Sequence, residues 1–254
     1  MRGIRFVMVP TTLLAQIDSS VGGKVAINLP QGKNLVGAFH QPAAVLTDTN
    51  ALGTLSEREL ASGLYEIVKH AAIRSKSLLR YLETRLPNIL ARRSGELVHI
   101  IVESVKIKSG VVSMDEKEEN LRMILNFGHT VGHALETATD YRRYKHGEAV
   151  AWGMIAALGF GKRLGFLQSE DAARLIDLIF RVGPLPGLKG IHFTQLWNAL
   201  ARDKKFRSGN ILMVLLSSLG DAEIQTGIEP ETLRRFLKKF LATNGDPTLI
   251  KGLS

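Results

Sequence analysis

Residues 126–136 read NFGHTVGHALE and place His129 and His133 four positions apart. Four positions is about one turn of an α-helix, so both rings leave the same face. Thirteen residues beyond His133 comes HGE, with His146. The histidines read as metal ligands, catalytic bases or ordinary residues of a buried helix face, and the surrounding chain has to discriminate.

Working outward, most of the chain carries helical patterning. The stretch SERE at 56–59 is a capping box in which Ser56 bonds the Glu59 amide and Glu59 reaches back, predicting a helix through ELASGLYEIVKHAAI. KSLLRYLETRL, GELVHIIVESVKIKSGVVSMDEKE, NFGHTVGHALETAT (ending near Asp140) and FTQLWNALARDKK are predicted helices, and YRRYK a loop. GEAVAWGMIAALGFGKRLG has glycine and alanine every few positions, so its neighbours can approach closely. Ser169 is predicted to cap EDAARLIDLIFRVG, NILMVLLSSLGDAEIQTG to form a hairpin, and Pro230 to open the last helix, ETLRRFLKKFLAT. The first fifty residues read as β and loop, with strands at 4–9 and 44–48 and two extended pieces around Pro30 and Gly32. The fold class expected is mainly α with a small N-terminal β portion. The expected divisions are 1–54, with its strands and hairpin, a helical body at 55–243 and a loose tail at 244–254.

Composition narrows the function. The 254 residues include no cysteine, which excludes disulfides and thiolate metal sites and leaves His, Asp and Glu as ligands. The net charge is +9, but basic residues form no long block and aromatics are only 6%, so stacking platforms for nucleic acid are scarce. The preferred reading is cations facing inward to meet an anionic small molecule, with no nucleic-acid partner. No apolar run approaches a membrane span, and MRGIRFVMVPTTLLAQ reads as a strand and not a signal peptide, which points to the cytoplasm and no membrane partner.

A catalytic divalent ion wants three protein ligands and an open position. His129 and His146 come from separate elements, and Glu66 is the best third ligand. It lies mid-helix among apolar residues, where an unpaired carboxylate is costly, with Lys69 and His70 one turn on. The competing reading pairs Glu66 with Lys69 or Lys204 and leaves satisfied core histidines. H-x-x-x-H without a flanking signature is common, and no Glu follows the first His as in zincins. SSVGGK looks like a phosphate loop but lacks the Walker spacing, so its glycines can serve only a turn. By pattern alone, Lys108 and Arg122 read as a solvated helix face.

Five motifs in series, VPTTLLAQIDSSVGGKVAIN, GKNLVGAFHQP, ELASGLYEIVKH, NFGHTVGHALE and HGEAVAWGM, resemble the 3-dehydroquinate synthase family from Met1 to about Gly220. The resemblance implies a helical metal- and substrate-binding domain behind the remaining strands of an α/β nucleotide-binding domain. It implies a Zn or Co ion on Glu66, His129 and His146, with His133 as a neighbouring acid–base residue. NAD contacts fall on Thr11, Thr12, Lys24, Lys33 and Thr54, with Lys24 also touching substrate and Asp18 and Asn34 flanking the site. Lys69, Lys108, Arg122 and Asn126, closed by Lys204 or Lys205, would surround a seven-carbon sugar acid phosphate. Arg2 would reach the partner's phosphate pocket in a homodimer. The reaction implied converts 3-deoxy-D-arabino-heptulosonate 7-phosphate to 3-dehydroquinate and phosphate, in aromatic amino acid biosynthesis. Rival readings are a related sugar-phosphate cyclase, a metal-dependent alcohol dehydrogenase, or a non-catalytic metal-binding or oligomerisation module. The family also carries a nucleotide-binding domain of about a hundred residues with a GGGVIGD-like turn, a usual domain size. No such segment stands in these 254 residues, so the chain reads as truncated, and alone it is expected not to turn over substrate.

Overall fold

The computed structural model describes residues 3–29, 32–116, 121–202 and 211–253; side chains at 28–29 and 32–35 fall outside that set. The N-terminal part holds β1 (Val7–Met8), β2 (Lys24–Leu29), β3 (Gly32–Phe39) and β4 (Ala44–Val45). The expected strands at 4–9 and 44–48 shrink to one parallel two-residue ladder, Val7↔Ala44 and Met8↔Val45. Strands β2 and β3 form an antiparallel hairpin running from Lys24↔Phe39, with a bulge between Ile27 and Leu29. One expectation fails here: the first fifty residues are not all β and loop. Ala15–Ser19 form a π-helical turn. Thr12 starts it, its Oγ1 accepting from the Ala15 amide at 3.2 Å, while Leu13 and Ile17 are fully buried. A single turn with two inward apolar residues is too short for periodicity to reveal.

The body is helical: α1 (Glu57–Arg74), α2 (Lys76–Leu90), α3 (Ser94–Met114), α4 (His129–Ala138), α5 (His146–Arg163), α6 (Ser169–Val182), α7 (Phe193–Arg202), α8 (Pro230–Ala242) and α9 (Pro247–Lys251). A 3-10 turn, Leu121–Asn126, precedes α4. Ser56 caps α1, its Oγ accepting from the Glu59 amide at 3.3 Å, but the Glu59 carboxylate pairs with Lys145 at 2.5 Å. Helix α2 runs past its expected end through Pro87, whose missing N–H leaves the Glu83 carbonyl without its helical donor; Arg181 Nη2 donates to it at 2.9 Å. Ser169 opens α6 without capping it; Gln168 holds that position with no side-chain bond. Strands β5 (Ile211–Ser218) and β6 (Asp221–Ile228) form the expected hairpin. The chain after Asn244, expected loose, instead forms α9. Asp246 caps it, Ile250 is buried, and Lys251 pairs with Asp177.

Helix α1 is buried along nearly its whole length from Leu60 to Ile73, the pattern of a helix surrounded by others. Helix α5 is equally enclosed, and small residues set its depth. A Cβ on Gly147 would stand 1.9 Å from the Ser62 carbonyl oxygen on α1; one on Gly153 would stand 1.7 Å from that of Gly128 before α4. Only glycine allows backbones to approach this closely. These two contacts draw α1, α4 and α5 to one place.

Candidate metal and anion site

That convergence brings together residues 66, 129, 133 and 146. Glu66 lies in α1 with no exposed surface. Its Oε1 lies 3.7 Å from His129 Nε2 and 3.6 Å from His146 Nε2, and accepts no hydrogen bond among the described residues. Its Oε2 pairs with Lys69, so the pairing weighed from sequence exists beside the histidine contacts and does not replace them. His129 and His146 each occupy the first position of their helices. Both turn Nδ1 away from Glu66: His129 Nδ1 donates to the Phe127 carbonyl at 3.2 Å, and His146 Nδ1 lies 3.4 Å from Glu136 Oε2. Exposed His133 completes a ring cluster, with centroids 5.2 Å from His129 and 5.9 Å from His146.

The donors gathered here suit a divalent ion: His129, His133 and His146 each offer a ligand atom within 4.8 Å of the others, and Glu66 stands near two of them. Two ligands on a tetrahedral Zn2+ at about 2.0–2.1 Å stand roughly 3.3 Å apart, close to the 3.6 and 3.7 Å separations found here. A fully buried carboxylate oxygen with no donor is a costly arrangement unless a cation satisfies it. Burial, then Lys69 and the neighbouring histidines, push His129 well below the ordinary histidine value, so its ring is neutral. Burial also acts to lower His146, but Glu136 and Glu66 outweigh it and raise that ring.

A cationic wall adjoins this centre. Lys108 Nζ donates to Asp18 Oδ1 at 2.6 Å and to the Asp18 carbonyl at 2.5 Å. Burial pushes the Asp18 carboxyl up, but Lys108, with Lys69 and His70 behind it, holds it well below the usual carboxylate range. Arg122 donates from Nη2 to the Gly22 carbonyl at 3.0 Å and from Nη1 to the Glu116 carbonyl at 2.5 Å. Gly22 and Gly23 have φ of +101° and +67°, so these glycines do serve a turn. The solvated-face reading of Lys108 and Arg122 is overturned: both are buried.

Asn126 ends the 3-10 turn before α4. Thr12 is half-buried, while Thr11, Lys24 and Thr54 are exposed. Arg2, Lys204, Lys205 and the side chains of Lys33 and Asn34 lie outside the described residues.

Sequence reasoning passed over three partners. Glu136 lies seven residues beyond His129, two turns along the same face, which is a readable signal. Ser104 carries none; its Oγ lies 2.6 Å from Nδ1 of fully buried His70. Arg58 grips both oxygens of buried Glu148 at 2.6 and 2.7 Å, and Glu148 Oε2 accepts from the Lys145 amide at 2.7 Å, fixing the start of α5 just before His146.

The family described as 3-dehydroquinate synthase C-terminal matches residues 63–206, and the one described as 3-dehydroquinate synthase N-terminal matches residues 1–62. The chain is 47% identical over 242 residues to the 3-dehydroquinate synthase of Solibacter usitatus, covering 95% of this chain and 68% of that protein. Among solved structures it resembles 2-epi-5-epi-valiolone synthase from Streptomyces hygroscopicus subsp. jinggangensis, with NAD+ and Zn2+ bound. The TM-score is 0.85 at 27% identity, over 95% of this chain and 67% of that one. It also resembles 2-deoxy-scyllo-inosose synthase complexed with carbaglucose-6-phosphate, NAD+ and Co2+, with a TM-score of 0.81 at 29% identity over 92% and 66%. The chain thus spans about two thirds of the length of the proteins it matches. By sequence and by fold, it belongs to the 3-dehydroquinate synthase family.

Proposed function

We propose that the chain carries the metal- and substrate-binding machinery of a 3-dehydroquinate synthase. The substrate is 3-deoxy-D-arabino-heptulosonate 7-phosphate, and the products are 3-dehydroquinate and phosphate. The observation that supports this most is the buried Glu66 Oε1, facing two imidazole Nε2 atoms and accepting no hydrogen bond among the described residues. Glu66, His129 and His146 would hold Zn2+ or Co2+, and Thr11, Thr12, Lys24, Lys33 and Thr54 would contact NAD. Bound there, NAD would supply hydride-transfer chemistry and the ion Lewis-acid polarisation.

The chain's own residues bind, orient and move protons. Lys69, Lys108 and Arg122 are cations enclosed in protein, where their attraction for a carboxylate or phosphate is far less screened than in water. The Arg122 guanidinium, fixed by two carbonyls, offers a rigid fork for one anion; Lys108 offers a point charge. Asn126, Asp18, Asn34 and one of Lys204 and Lys205 orient hydroxyls and close the pocket. His133 is exposed beside the two ligand histidines and suits proton transfer at the reacting carbon. The reading includes a cytoplasmic homodimer in which Arg2 reaches the phosphate pocket of a second copy. The 47% identity to a named 3-dehydroquinate synthase, against 27–29% to the sugar-phosphate cyclases, favours the acid-phosphate substrate.

Titration of the metal-stripped chain with Co2+, followed by visible absorption, tests the reading. One site is expected. Glu66→Gln, His129→Ala and His146→Ala should each weaken it at least about a hundredfold, since each removes one of three ligands. Equal binding by all three variants would overturn it.

A further inference from the structure

Glu136 is a buried carboxylate with no place in the chemistry above. It stands on α4 seven residues after His129, and only 5% of its surface is exposed. Its Oε2 lies 3.4 Å from His146 Nδ1, and a carboxylate can only accept, so that contact requires the proton on Nδ1. In the neutral ring, the proton on Nδ1 leaves a lone pair on Nε2, the atom 3.6 Å from Glu66 Oε1. The backbone does the same for His129, where the Phe127 carbonyl takes Nδ1–H and Nε2 faces Glu66. The difference is exposure and tether. The His129 partner is two residues away on its own chain segment, whereas His146 is 32% exposed and its anchor reaches over from another helix.

We propose that Glu136 is a positioning residue that fixes the tautomer and orientation of His146 and so tightens divalent-ion binding. This rests on the metal reading of Glu66, His129 and His146. Outer carboxylates that hold a ligand histidine typically change metal affinity by about 10- to 100-fold. A purely structural role is the alternative: Glu136 as a negative charge near the positive N-terminal end of α5. That role predicts lost stability with unchanged metal binding.

The test uses the 254-residue chain, stripped of metal and titrated with Co2+ and Zn2+. Glu136→Ala should weaken both ions about 10- to 100-fold and alter the Co2+ visible spectrum. Glu136→Gln keeps an oxygen acceptor and should recover most of the affinity. Selective 15N labelling of histidine gives a metal-free readout. At a pH high enough to keep the ring neutral, His146 should hold its proton on Nδ1 in the unsubstituted chain and in Glu136→Gln, and populate both tautomers in Glu136→Ala. Unchanged affinity, spectrum and tautomer in Glu136→Ala would overturn the proposal while leaving the metal site standing. If the Glu66→Gln control also binds as the unsubstituted chain does, the metal reading falls and this inference falls with it.

Discussion

The two walls of the site are built of different material. The histidine wall comes from α1, α4 and α5, which approach one another closely at Gly128, Gly147 and Gly153. The other wall comes from the N-terminal segment around Asp18 and Gly22, which the body reaches with two long cations: Lys108 to Asp18 and Arg122 to the Gly22 carbonyl. Main-chain contact fixes ligand positions to fractions of an ångström. Leu13 and Ile17, both fully buried, also seat that segment in the core, with Leu13 and the Leu14 amide close against Gly63 of α1, so the charged tethers add to packing. In the proposed function the first wall would hold the ion and the second would face the organic anion.

The sharpest way to break this comparison is Gly153→Ala. Its Cβ would fall 1.7 Å from the Gly128 carbonyl oxygen, which is backbone and cannot swing aside. Urea unfolding should show a loss of about 3 kcal/mol or more, the upper range for overpacking. Gly110→Ala on α3 meets nothing within 4 Å and should be neutral or gain about 0.5–1 kcal/mol from helix propensity. If the two variants unfold alike, close approach does not set the helical wall.

Next in size is Lys108→Met. The methionine keeps the buried stem but leaves Asp18 without the ammonium that outweighs its burial. Asp18 is still 26% exposed, so water takes back part of the cost, and about 1–2 kcal/mol is expected against the 3–5 of a fully buried broken pair. Amide exchange should quicken in residues 18–24 and stay unchanged in α4 and α5. Uniform quickening across both walls would show that Lys108 supports the whole fold.

A pH dependence separates the walls further. His70 has no exposed surface and sits behind Asp18; burial, then Lys69, push it well below the ordinary value, with Asp18 only partly opposing. The folded chain therefore refuses a proton that the unfolded chain accepts. The stability this contributes is present above about pH 6.5 and is lost as pH falls, at roughly 1.4 kcal/mol per unit. His146 is raised and contributes in the opposite sense, so the informative quantity is the difference between the chain and His70→Gln. Between pH 6.5 and 5.5 the variant should lose about 1 kcal/mol less. Parallel pH profiles would mean that His70 protonates without penalty.

How much of this was legible follows the same division. Helical periodicity carries far along the chain, so α1, α3, α4, α5 and α8 could be read, whereas the grouping of Glu66, His129 and His146 came from ligand chemistry and the family resemblance and not from periodicity. The N-terminal wall was read less well. The π-helical turn at 15–19 is too short for a period to repeat, and the strand ladder is two residues long. Burial of Lys108 and Arg122 depends on a segment about 90 to 100 residues away in sequence, and no local pattern encodes it. Glu136 could have been found by counting turns from His129; Ser104 could not. Asn244–Ser254 misled because polar, glycine-containing ends usually fray, whereas here Ile250 finds a buried place.

The smallest effect is expected at Ile27 in the β2–β3 hairpin, which is 60% exposed and pairs with Val36 across the ladder. Ile27→Thr keeps the β-branch that the strand backbone favours and removes apolar surface that is mostly in water already. The change in unfolding free energy should stay within about 0.5 kcal/mol, the usual range for surface substitutions. The same change at Ile67 in α1, which has no exposed surface, buries a hydroxyl in a packed core and should cost several times more. If Ile27→Thr destabilises as much as Ile67→Thr, the hairpin is packed into the body as firmly as α1 is. The hairpin would then belong with the packed part of the N-terminal segment, beside Leu13 and Ile17.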